Sequence, residues 1–122
     1  FSIGNLFFRS DRINKPSTKL KTVVIKKLDG WCDDLNFPKK YNKLIKIEKK
    51  IKHEKMRRKD YKYDLLIPIK YNFKKPISGR GSCIFVHLTK NYKPTAGCIA
   101  LKEKDFLIMI KLINKNSKIK IF

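Results

Sequence analysis

Acidic residues are scarce: 10 Asp and Glu stand against 31 Lys and Arg, which leaves a formal net charge of +21 in 122 residues. Cysteine is few and odd in number. Cys32, Cys83 and Cys98 show no paired spacing, which argues against both a disulfide framework and a CxxC metal site and leaves at least one thiol free. Histidine occurs twice. His53-Glu54 opens like a zincin helix but lacks the second His, so no metalloprotease motif is present, and neither metal nor cofactor is expected. No apolar run approaches the ~20 residues needed to cross a bilayer, so no transmembrane segment is expected. The first residues have no charged stretch followed by an apolar one, as a secretory leader would.

What is present is one domain's length of chain, 42% hydrophobic and 11% aromatic. That is enough apolar matter for a core and argues against simple disorder despite the charge. The basic excess is carried by 26 Lys against 5 Arg, scattered among Ile and Asn. Two origins fit: drift toward AT-rich codons, and selection for an anionic partner. A basic nucleic-acid-binding domain is therefore the alternative reading, although none of its recognition motifs is visible.

The chain opens with residues 1–17, ending in a polar turn. A β-branched run at Val23-Val24-Ile25 predicts a strand within 19–27. Asp29 to Asp34 reads as a structured loop around Trp31 and Cys32. Between Asn42 and Met56, Leu44, Ile47 and Ile51 have helical spacing among lysines. A solvated connector or short helix is expected there, a membrane-surface amphipathic helix being the other reading. Asp64 to Tyr71 is a dense apolar run that Pro68 places at an edge or a bend. Residues 72–81 turn the chain through Pro76, Gly79 and Gly81.

Ser82 to Leu88 is the clearest buried strand and delivers His87 near its end, while Pro94 and Gly97 keep the segment before Cys98 irregular. Glu103 to Leu112 is the clearest helix, with acids in its first turn and Phe106, Ile110 and Ile113 on one side. Lys118 to Phe122 is expected as a final strand. His53 reads as an exposed polar residue. On residue chemistry alone, His87 and Cys98 fit a core histidine and a buried thiol. They also fit a Cys–His pair in which imidazolium holds a thiolate.

The run Gly79-Arg80-Gly81-Ser82-Cys83-Ile84-Phe85-Val86-His87, followed by Pro94-Thr95-Ala96-Gly97-Cys98-Ile99-Ala100-Leu101, resembles the L,D-transpeptidase catalytic domain. Gly30-Trp31-Cys32-Asp33-Asp34, Tyr41-Asn42, His53-Glu54 and Tyr63-Asp64 are similar to a subgroup with a Pro-Thr-x-Gly-Cys-x-Ala-Leu motif. Ala96 stands where many members carry a second His, and Ala100 where they carry Asn or Arg.

The resemblance implies a mainly β sandwich with one C-terminal helix beside the site, in a single domain truncated at its N-terminus. It implies Cys98 as nucleophile and His87 as base, with the Leu88 carbonyl orienting the ring and the N–H groups of Gly97 and Cys98 receiving an oxyanion. Thr95, Ser82, Arg80 and His53 become substrate-binding candidates. The implied substrate is the peptidoglycan stem peptide in a bacterial envelope. Carbapenems are the implied acylating inhibitors, and no specific nucleic acid is involved.

Overall fold

Period-two alternation along three short segments builds the centre of the molecule. In β1 (Leu6–Phe8), β6 (Leu65–Pro68) and β7 (Phe85–Leu88) every residue is buried, so each strand feeds two cores, one on either face. Leu6, Phe8, Leu65, Ile67, Val86 and Leu88 enter one cluster, and Phe7, Leu66 and Phe85 the other. With β2 (Thr22–Val24) and β8 (Ile99–Leu101) these strands form a five-stranded sheet in the order β2-β1-β6-β7-β8. The computed structural model describes residues 1–91 and 98–120. Within them the chain is mainly β, with two sheets and a single C-terminal helix.

That helix, α1 (Glu103–Leu112), spans the stretch its pattern predicts. Glu103 and Asp105 complement the N-terminal dipole and Lys111 the C-terminal one. Phe106 and Ile110 are fully buried in the aliphatic cluster with Val86, Leu88 and Ile67. The opposite, aromatic face of the central sheet meets a second sheet of three strands in the order β4-β3-β5. Here β3 is Asp29–Cys32, β4 Leu44–Lys46 and β5 His53–Lys55. Trp31 from β3 packs edge-on against Phe85, their ring centroids 5.3 Å apart.

The second sheet corrects two expectations. Asp29 to Cys32 is the middle strand rather than a loop, and residues 42–56 are its two partners rather than a helix or connector. Leu44, Ile47 and Ile51 repeat as a helix would, but Leu44 lies in β4 while Ile47 and Ile51 flank the turn that leads to β5. Gly30 allows the close approach. A Cβ there would stand 2.9 Å from Cγ1 of Ile47 and 3.3 Å from Cδ2 of His53.

Two further expectations shift. Pro68 ends a central strand, not an edge one, and its carbonyl accepts a hydrogen bond from the Gly4 amide at 2.8 Å. The final strand reduces, within the described residues, to one bridge between Ser2 and Lys118.

Candidate functional site

The parallel pairing of β7 and β8 assembles the site. Val86 lies opposite Ile99 and His87 opposite Ala100, and the same offset carried one residue back sets Cys98 beside Phe85. Paired residues in a sheet share a face, as do residues two apart along a strand. Cys98, Phe85 and His87 therefore stand on the aromatic face, with His87 as the diagonal neighbour of the thiol. Cys98 is half-buried and packs against the cluster that contains Phe85, Trp31 and Tyr63.

The His87 ring is buried at 7% exposure, with Nδ1 2.9 Å from the Leu88 carbonyl. A carbonyl only accepts, so Nδ1 carries the proton and Nε2 keeps its lone pair. Burial pushes the imidazole below its ordinary range, and the charges of Lys62 and Arg58 push the same way against the Leu88 hydrogen bond. Burial likewise raises Cys98 despite the Phe85 amide that favours its thiolate, and the negative charge of Glu54 adds to the rise. Both shifts favour the neutral forms of the two groups. At both groups desolvation works against the charged form and the local hydrogen bonds work for it. The Cys98 thiol donates to the Cys83 carbonyl at 3.2 Å.

Tyr63 closes the other side. Its ring meets Phe85 and His87 edge-on, at 5.7 and 5.6 Å. Its hydroxyl donates to Glu54 at 3.2 Å, and Glu54 accepts from Arg58 at 2.9 Å. Arg58 also pairs with Asp60 at 2.7 Å, holding that carboxyl down at about 2. Sequence reading gave Tyr63 and Glu54 no role. A strand residue and a turn residue that meet only through the fold carry no local signal.

The remaining candidates are scattered. His53 is half-buried, not exposed, with Nδ1 2.7 Å from the Ile51 carbonyl. It pairs with Cys32, whereas the next pair, Trp31 with Glu54, faces the aromatic layer. Alternation therefore turns His53 away from the thiol. Arg80 is exposed on a turn. Ser82 donates to the Cys32 carbonyl at 2.6 Å and ties the two sheets together. Thr95 and Gly97 lie outside the described residues.

Cys83 is not in the strand that was expected to bury it. It precedes β7 with φ of 59°, a left-handed conformation costly for a residue with a Cβ, and is half-buried with its thiol pushed up to about 12 by burial. Among the described residues no three His, Cys, Asp or Glu side chains group to hold a metal ion, and no helix is long and apolar enough to cross a membrane.

No protein-family model, no curated protein and no solved structure matches this chain. The arrangement itself offers a half-buried thiol and a buried imidazole on one sheet face.

Proposed function

We propose that the protein is a cysteine acyltransferase of the L,D-transpeptidase kind, acting on peptidoglycan stem peptides in a bacterial envelope, with the sandwich fold that such an activity implies. The observation that supports it most is the β7–β8 register, which sets Cys98 on the face of a His87 whose Nδ1 is engaged by Leu88. Because burial favours the neutral form of both groups, the thiol proton passes to Nε2 of His87 as sulfur attacks in this reading.

The carbonyl attacked belongs to the L-centre of the stem's diamino acid. A C–S bond forms, and the tetrahedral oxyanion is received by backbone N–H groups at residues 97 and 98. Collapse breaks the C–N bond to the terminal D-Ala, whose amine leaves with the proton held by His87. An amine on a second stem, or water, then attacks the thioester and regenerates the thiol.

Intact-protein mass spectrometry with a carbapenem tests this reading. One covalent adduct per chain is expected, mapping to Cys98 and absent in Cys98→Ala, with stem peptides losing D-Ala in parallel. A folded wild-type chain that forms no adduct, yet binds DNA sequence-selectively at ~200 mM salt, would instead establish the basic nucleic-acid binder.

A further inference from the structure

Beside Trp31, residues of both sheets line an open groove of about 1080 Å³. Five lysines line it from four segments of the chain: Lys19 with Lys21, Lys43, Lys70 and Lys115. No Asp or Glu lines it, and no ion pair among the described residues engages any of the five. The arginines are used differently. Arg9, Arg12, Arg57 and Arg58 are all paired with carboxylates of the chain, and none lines the groove. Ten acids could have neutralised these lysines, and the fold brings none of them here.

We infer that this groove binds a base-free phosphodiester strand, a polymer with one fixed negative charge per repeat and no aromatic groups. Charge complementarity argues for a polyanion: five converging cations without a counter-charge repel one another until an anionic chain lies among them. Lysines are point charges on flexible stems and suit a row of charges with no fixed fork geometry, unlike the bidentate arginines that hold isolated carboxylates.

The walls argue against bases. Nucleic-acid grooves that hold single strands present open aromatic faces for stacking. Here Phe7 and Trp31 are buried, and the ammonium of Lys70 lies over the Phe73 ring at 5.8 Å from its centre. The polar groups of the wall around Trp31 are already committed. The Trp31 indole donates to Asn42 at 2.8 Å, and the Asn42 amide donates to the carbonyls of Tyr71 and Asn72 at 3.1 and 2.6 Å. The inference stands apart from the acyl-transfer reading, since no groove residue carries that chemistry.

Any chain with this charge binds polyanions at low salt, so the test compares two ways of removing the same charge. Fluorescence anisotropy would follow a labelled 12-mer strand of abasic deoxyribose phosphodiesters binding to the full chain carrying Cys98→Ala. One variant changes Lys19, Lys21, Lys43, Lys70 and Lys115 to Gln. The control changes the exposed Lys39, Lys49, Lys50, Lys59 and Lys104. The groove variant is expected to weaken binding at least ~10-fold and to lower the salt slope by up to ~3.5, while the control loses less than ~3-fold. Equal losses in the two variants would show diffuse surface attraction and overturn the site. A thymidine 12-mer binding ~10-fold tighter than the abasic strand would mean that bases are read, and overturn the assignment in favour of nucleic acid. Polyglutamate matching the abasic strand would overturn the phosphodiester assignment. Acylation of Cys98, measured separately, decides the other proposal.

Discussion

The two faces of the central sheet are made from the same three strands, yet they differ in chemistry. One face is aliphatic and closed by α1, with Phe106 and Ile110 seated among Leu, Ile and Val. The other is aromatic and carries the reactive groups: the Cys98 thiol, the His87 imidazole and the Tyr63–Glu54–Arg58 chain. The helix seals its face with Phe106 and Ile110. The second sheet brings edge-on rings and polar strand neighbours, and rings can border a polar group without leaving a void.

The comparison holds if damage on one face spares the other's property. His87→Ala should show the largest effect, slowing carbapenem acylation of Cys98 by ~10²–10⁴-fold. The melt should stay cooperative, and His87→Gln, which keeps a polar side chain of similar reach, should be just as slow. Wild-type acylation rates in either variant would remove His87 from the mechanism.

On the helix face, Phe106→Ala should cost about 3–5 kcal/mol, since that ring is fully buried, while the folded fraction acylates at the normal rate. Denaturant melts beside single-turnover acylation separate the two quantities. A rate loss in proportion to stability would mean that the faces are not independent.

Changing pH should sharpen the contrast. Because His87 sits below the ordinary value of 6.5 in the fold, the unfolded chain takes up a proton first as pH drops. Stability should therefore fall as pH decreases below 6.5, until the folded group also protonates. The thiols have the opposite sign. Cys98 is raised and Cys83 reaches about 12, so stability present below 9.0 should be lost as pH rises from there toward 12. Melts from pH 5 to 11 on wild type and His87→Gln measure both flanks, and the acid flank should flatten in the variant. The smallest effect is expected at Leu112, which is 77% exposed at the end of α1. Leu112→Ser should stay within ~0.5 kcal/mol and leave acylation unchanged.

The sequence by itself determined what local pattern can encode. The helix at Glu103–Leu112 has its acids, its lysine and its apolar stripe in one continuous stretch. The burial of Phe85 to Leu88 follows from an unbroken apolar run, and the two residues of the candidate pair stand out because histidine and cysteine are so few. The tertiary structure decided the rest, since strand pairing joins residues that are distant in sequence. The loop around Trp31 became a strand only because Leu44 to Lys46 and His53 to Lys55 flank it, and Gly30 has the missing Cβ that lets them close in. Leu6 to Phe8 drew no notice as a strand until Leu65 and Leu66 lay opposite it. His53 turned away from the thiol and Glu54 toward Tyr63 because a strand sends neighbours to opposite faces, which no composition reveals. The direction in which Cys98 and His87 shift has the same origin: desolvation depends on what packs around a group, and for both it is the largest cause.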